Sequence, residues 1–114
     1  MLGKTIAILA AVAALTAGIA ASAFAASTHT ISIRDNSYSK SSITIPRKDT
    51  ITWKWRGTGN PHNVTTRSSS PVTFASATRS GSVSFSHKFN KTGTYKIFCS
   101  IHPGLMKLTV KVTR

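Results

Sequence analysis

Short segments in which apolar and polar residues alternate make up most of the chain after residue 26. A period of two residues is typical of a β-strand with one buried face, and no stretch in this region has the spacing of a helix. The predicted strands are residues 28–34, 42–46, 51–56, 64–66, 82–89, 94–99 and 107–113. Seven to eight short strands at regular spacing predict an all-β protein, an antiparallel β-sandwich.

The first 25 residues have the organisation of a secretory signal peptide. Lys4 precedes an apolar run that ends near Ala20, and Ala23 and Ala25 supply the small residues of a cleavage site. We therefore expect a signal peptide over residues 1–25 and one domain over residues 26–114, exported to the periplasm, the cell surface or the medium. An uncleaved membrane anchor is the alternative, because residues 5–25 are together long enough to span a bilayer.

The chain is strongly basic. Fifteen Lys and Arg residues oppose only Asp35 and Asp49, for a formal net charge of +13, to which Lys4 of the signal peptide contributes one. An exported protein meets little nucleic acid, so we expect acidic partner proteins, with an anionic membrane or cell-wall surface as a further possibility. The alternative is a charge that serves only solubility, since the cations are scattered along the chain.

The only cysteine lies close to a histidine and to a methionine. Cys99, His102 and Met106 fall within eight residues, on a loop that follows an apolar strand, and His62 stands upstream. Thiolate, imidazole and thioether donors together suit a soft metal with one-electron chemistry, and copper fits them best. We therefore predict one copper ion with His62, Cys99, His102 and Met106 as its ligands.

Four segments of the chain carry a family resemblance. They are residues 43–53, the segment Asn60-Pro61-His62-Asn63-Val64, the stretch from Gly93-Thr94-Tyr95 to Cys99-Ser100-Ile101-His102-Pro103-Gly104, and the segment Lys107-Leu108-Thr109-Val110. In these segments the chain resembles the cupredoxins, the blue copper proteins, and most of all the plastocyanin, pseudoazurin and amicyanin group. The resemblance covers residues 28–113, and it implies a cupredoxin-like Greek-key β-sandwich.

The resemblance also implies roles for individual residues. His62, Cys99 and His102 are the strong copper ligands, Met106 is the axial ligand, and the backbone N–H of Asn63 donates to the sulfur of Cys99. The ring of His102 reaches solvent within an apolar patch, which is formed here by Ile101, Pro103, Gly104 and Leu105. Three residues separate His102 from Met106, whereas amicyanin-like loops have two and plastocyanin-like loops have four, so the axial distance is left open.

The implied function is a monomeric electron-transfer protein that shuttles single electrons between redox partners, and not an enzyme. One alternative is a copper-binding protein for storage, delivery or resistance, with no electron-transfer role. Another is a metal-free β-sandwich adhesion module. We interpret His87 as structural, His29 as a surface strand residue, and Tyr95 as the donor of a tyrosine-corner hydrogen bond.

Overall fold

The computed structural model describes residues 25–114, in which β-strands occur without a helix. The strands are β1 (Thr28–Arg34), β2 (Ser37–Tyr38), β3 (Ser42–Pro46), β4 (Thr50–Trp55), β5 (Thr58–His62), β6 (Thr65–Thr66), β7 (Arg79–Gly81), β8 (Ser84–Lys88), β9 (Gly93–Phe98) and β10 (Lys107–Thr113). Among these residues no helix long and apolar enough to cross a membrane is found. The predicted signal peptide lies outside the described residues, apart from Ala25.

The strands form two four-stranded sheets and a two-stranded ribbon. The sheet orders are β2-β1-β4-β8 and β3-β10-β9-β6, and the ribbon pairs β5 with β7. This arrangement confirms the predicted all-β Greek-key sandwich. All seven predicted strands are present, and the additional ones are the short strands β2, β5 and β7.

Two strand pairs differ from the antiparallel arrangement that we expected. β1 and β4 are parallel, with Thr28 opposite Thr50 and Ile33 opposite Trp55, and β10 is parallel to β3. The chain passes from β1 to β3 in the other sheet before it returns to β4, so β1 and β4 run in the same direction. The antiparallel prediction was wrong for these pairs, because alternation indicates which face of a strand is buried but not its direction.

The core lies between the two large sheets and contains the residues that alternation places inward. Ile51, Trp53 and Trp55 of β4 are buried, and each such side chain contributes about 1.5–3 kcal/mol by leaving water. The hydroxyl of Tyr95 donates to the backbone oxygen of Lys91 at 2.7 Å. This bond confirms the predicted tyrosine corner.

The segment that follows Trp55 differs from the sequence prediction. The strand ends before Gly57, which has a φ of 65°. Residues 57–63 were part of no predicted strand, but most of them form β5, which pairs with β7 in an irregular register. Gly59 and Pro61 weaken the strand pattern in this stretch. His62 is therefore the last residue of β5 and is held in place by the two-stranded ribbon of β5 and β7.

Candidate metal centre

Three of the four predicted ligands lie together. The donor atoms of His62, Cys99 and His102 are all within 4.8 Å of one another, and the Cys99 Sγ to His102 Nδ1 distance is 3.9 Å. His62 and Cys99 are fully buried, whereas His102 is partly exposed. Two imidazoles and one thiolate at this spacing can share a single metal ion.

Backbone hydrogen bonds shape the loop of residues 99–106. The N–H of Cys99 donates to the oxygen of Met106 at 3.0 Å and closes the loop at its base, where β9 and β10 are paired. Within the loop, the N–H groups of His102 and Met106 donate to the oxygens of Cys99 and His102, at 3.1 and 3.0 Å. The spacing of Cys99 and His102 is therefore set by the chain. Met106 is fully buried, and its role as axial ligand stays a prediction.

The donor set fits copper. Nδ1 of His62 is buried and has no hydrogen-bond partner among residues 25–114, a condition that costs about 1–3 kcal/mol. A metal ion bound at this nitrogen would remove that cost. The sulfur of Cys99 is the soft donor of the cluster, and thiolate with imidazole suits copper in both of its oxidation states.

Asn63 joins the two chain segments that carry the ligands. Its backbone N–H donates to Sγ of Cys99 at 3.4 Å, as the resemblance implied. Its side-chain oxygen accepts from the N–H of Ser100 at 2.9 Å and from the hydroxyl of Thr65 at 3.0 Å. Its amide nitrogen donates to the hydroxyls of Ser100 and Thr78, at 2.6 and 3.0 Å. This buried side chain thus fixes His62 relative to Cys99.

Comparison with protein families identifies the chain. A family model described as copper binding proteins, plastocyanin/azurin family, matches residues 25–113. The chain belongs to this family. It is a cupredoxin with a type 1 copper site, and its cofactor is one copper ion. These findings contradict the metal-free adhesion alternative.

Solved structures show the same sandwich. An oxidised proline-to-glycine variant of amicyanin is 24% identical over 75% of this chain and 81% of its own, with a TM-score of 0.65. An oxidised methionine-to-leucine variant of amicyanin is 25% identical over 82% and 87%, with a TM-score of 0.66. A copper-containing nitrite reductase from Thermus scotoductus SA-01 is 22% identical over 82% of this cupredoxin but only 24% of its own chain, with a TM-score of 0.70. Comparison with curated proteins finds no match.

Tyr38 supports the copper site of this cupredoxin from a strand that the sequence did not predict. Its hydroxyl donates to the backbone oxygen of Asn63 at 2.7 Å. Burial raises the pKa of Tyr38, and the nearby charge of Cys99 raises it further, so the hydroxyl remains a donor. The sequence predicted no strand between residues 34 and 42, because a two-residue strand such as β2 is too short to show alternation.

Asp35 is a second residue of the site that sequence reasoning missed. Its Oδ1 lies 2.9 Å from Nε2 of His62 and accepts the N–H of Asn60 at 3.1 Å, while its Oδ2 accepts the N–H of Gly59 at 3.1 Å. These bonds, led by the one with His62, hold the pKa of Asp35 below its usual range. An ionised carboxylate only accepts, so Nε2 of His62 carries the proton and Nδ1 is free to bind the metal. The sequence did contain one signal for a special role of Asp35, because only two acidic residues occur in the whole chain.

The other two histidines lie outside the donor cluster of the cupredoxin. Nε2 of His29 is 2.7 Å from Oδ2 of Asp49, and its side chain is about one-third exposed. The ring of His87 stacks on Phe74 with 3.8 Å between centroids, and burial lowers the pKa of His87. Packing therefore accounts for His87, in line with its structural interpretation.

Replacing Met106 with leucine is expected to leave copper bound and to raise the reduction potential. A thioether at the axial position donates weakly, and the axial ligand tunes the potential of such sites. The two side chains have similar volumes, so the free energy of unfolding should change by less than about 1.5 kcal/mol. Voltammetry of the copper-loaded variant measures the potential.

Leu108→Met is the matched control, because it makes the reverse exchange at a buried position of β10, two residues after Met106. Its potential should equal that of the wild type. Loss of all copper from Met106→Leu would contradict a weak axial role for this residue.

Proposed function

We propose that this cupredoxin carries single electrons between redox proteins, with His62, Cys99 and His102 as strong copper ligands and Met106 as the axial one. The observation that carries the proposal is that the donor atoms of His62, Cys99 and His102 lie within 4.8 Å of one another while the side chain of His102 is partly exposed. Bound copper supplies a one-electron couple between Cu(I) and Cu(II). The residues of the chain hold the ligands in place and offer a surface for the partner.

Rigid placement of the ligands supports rapid electron transfer. The side chain of Asn63 bridges the His62 and Cys99 segments, and backbone bonds define the loop of residues 99–106. Ligands that are fixed by the sandwich move little when the metal changes charge, and little movement means a small reorganisation cost. A storage or delivery protein has no such need, because it must release its metal.

The surface beside His102 suits contact with another protein. Ile101 and Leu105 are 45% and 70% exposed, although both are large apolar residues. Exposed apolar residues that cluster at one place are typical of interaction sites. A partner that covers this patch would exclude water and approach the imidazole of His102. We propose a carrier and not an enzyme, since His62 and Cys99 are buried away from any substrate.

A basic groove next to this patch favours an acidic partner. The groove has a volume of about 510 Å³. It is lined by Leu105 of the ligand loop, which comprises residues 99–106, and by the cations Arg67, Lys96 and Lys107. The guanidinium of Arg67 lies 3.8 Å from the centre of the Phe98 ring. No carboxylate lines the groove. Such a surface attracts acidic proteins and accelerates their association at low salt.

Reversing two charges in the groove tests this partner class. We expect Lys96→Glu/Lys107→Glu to lower the second-order rate constant for electron transfer to a purified acidic cytochrome at least tenfold at low salt. Stopped-flow absorption measures the rate. Salt should slow the wild-type reaction, because screening weakens the attraction.

Lys54→Glu/Lys88→Glu is the matched control, because it changes the net charge equally on exposed positions of the other large sheet. Its rate should fall much less. Equal rates for both double variants would indicate that the position of the charge has no role and that the basic residues serve solubility.

Export of the protein as a monomer is part of the proposal. The sequence of residues 1–25 supports cleavage after Ala25 and a location in the periplasm, at the cell surface or in the medium. The mass of the secreted protein tests this, since retention of Met1 would indicate an anchor. An anionic membrane or cell wall is a second proposed contact for the basic surface, whereas nucleic acid is not.

A visible absorption spectrum after one equivalent of Cu(II) tests the function. Electron transfer requires an intense thiolate-to-copper band that ascorbate bleaches and ferricyanide restores. The second candidate is a storage, delivery or resistance protein, which the buried cysteine also fits. Copper uptake without a reversible redox wave would favour that candidate and overturn the proposal.

A further inference from the structure

Both acidic residues of the chain are paired with histidines. Asp49 contacts His29, which is outside the donor cluster, and Asp35 contacts His62, which is inside it. The chain has fifteen cationic and only two anionic side chains. One of the two carboxylates is thus hydrogen-bonded to the imidazole of a predicted copper ligand. Asp35 reaches this position from the turn after β1, far from His62 in sequence.

We propose that Asp35 is a positioning residue for the copper centre, whose carboxylate fixes the ring of His62 and lowers the reduction potential of the bound copper. The inference rests on the proposed electron-transfer function and deepens it. In this proposal Asp35, which is not a copper ligand, adjusts the reduction potential at which the protein accepts an electron.

The positioning role follows from the contacts of Asp35. One carboxylate bonds the N–H groups of Gly59 and Asn60 and also the ring nitrogen of His62. It therefore holds the backbone of β5 and the side chain at its end in one arrangement. The ring of His62 is fully buried and its Nδ1 has no partner among the described residues. Its orientation toward Cys99 is thus set by the bond at Nε2.

The effect on the potential follows from charge. A carboxylate that accepts the N–H of a ligating imidazole makes the opposite nitrogen a stronger donor. A stronger donor and a nearby negative charge both stabilise Cu(II) more than Cu(I), because Cu(II) carries the larger positive charge. The reduced state becomes relatively less favourable, and the potential falls. The carboxylate side chain is 44% exposed, so solvent moderates this effect without removing it.

Asp35→Asn tests the proposal, because it removes the charge and keeps an oxygen that can accept a hydrogen bond. Groups that hold a ligating histidine are typically worth about 10- to 100-fold in metal affinity. We expect the Cu(II) affinity of the variant to fall relative to its Cu(I) affinity by about tenfold, which raises the potential by about 59 mV. Voltammetry measures the shift. An unchanged or lower potential in a folded, blue variant would overturn the proposal.

Asp49→Asn is the matched control, since it removes the same charge from the other Asp–His pair. Asp35 follows the end of β1 and Asp49 precedes the start of β4, and these strands are parallel and in register. Asp49 lies level with Ser27 in this register, so eight residue steps along the strands place it about 26 Å from Asp35. At 0.1 M salt that is more than twice the screening length of about 10 Å, so the control should keep the wild-type potential. An equal shift in both variants would refute a local effect of Asp35.

Proton NMR of wild-type protein loaded with Cu(I) tests the contact without any substitution. The Nε2 proton of His62 should resonate well downfield of an imidazole proton that donates to a neutral oxygen. An ordinary resonance position would overturn the proposal, even if Asp35→Asn failed to fold. A wild-type protein with no reversible redox wave would instead refute the electron-transfer function, and the NMR signal would still report on Asp35.

Discussion

Replacing Cys99 with serine is expected to abolish the intense visible absorption of the copper-loaded protein. The band requires charge transfer from a thiolate, and a serine hydroxyl neither ionises at neutral pH nor offers a soft donor. The loss should be complete, because Cys99 is the only cysteine in the chain. An absorption spectrum after one equivalent of Cu(II) provides the measurement.

The fold should survive this substitution. Serine fits the space of cysteine, and the N–H of Asn63, which donates to the sulfur in the wild type, can donate to the hydroxyl. Unchanged far-UV circular dichroism would verify this. Met106→Leu serves as the comparison, since it alters a buried sulfur in the same loop and should keep the colour. A visible band in Cys99→Ser would exclude the proposed ligand set.

Replacing Asn63 with alanine is expected to destabilise the apoprotein by about 3 kcal/mol. The side chain makes four hydrogen bonds, to Ser100 twice and to Thr65 and Thr78 once each. Each is worth about 1 kcal/mol, and partners left unsatisfied add to the loss. For a domain of this size the melting temperature should fall by roughly 12–24 °C. Calorimetry of the metal-free protein measures it.

Asn90→Ala is the control for this prediction. Asn90 is exposed in the turn between β8 and β9, and its replacement should change the free energy of unfolding by less than about 0.5 kcal/mol. Copper should still colour Asn63→Ala, because the backbone N–H that donates to Cys99 remains, but the affinity should be lower. Equal melting temperatures for the two variants would contradict a bridging role for Asn63.

The strands that could be predicted were those with one clearly buried face. Residues 28–34, 42–46 and 107–113 were predicted with the bounds that the structure has. In β10 the buried residues are Leu108, Val110 and Val112, which alternate with polar ones. The ligand loop could also be predicted, because Cys99, His102 and Met106 lie close together in sequence and their donor types restrict the metal.

The remaining features depend on tertiary contacts that no local pattern encodes. Aspartate is common in turns, so Asp35 does not stand out in the sequence. Its bond to His62 arises only because β1 and β5 meet in the folded chain. The same holds for the hydroxyl of Tyr38, which reaches the backbone of Asn63 from a strand of two residues. The parallel direction of β1 and β4 reflects a passage of the chain between sheets, which alternation does not reveal.

The location of β10 has a consequence for the order of assembly. This last strand of the described range lies between β3 and β9 in its sheet, so the sheet cannot close until residues 107–113 have joined it. The ligand loop is closed by a bond between Cys99 and Met106, directly before that strand. The pairing of β10 with β3 joins segments that are far apart in sequence, and such pairings form slowly. The metal pocket is therefore among the last parts of the domain to be completed as it folds, and the thiol of Cys99 stays open to oxidation until then.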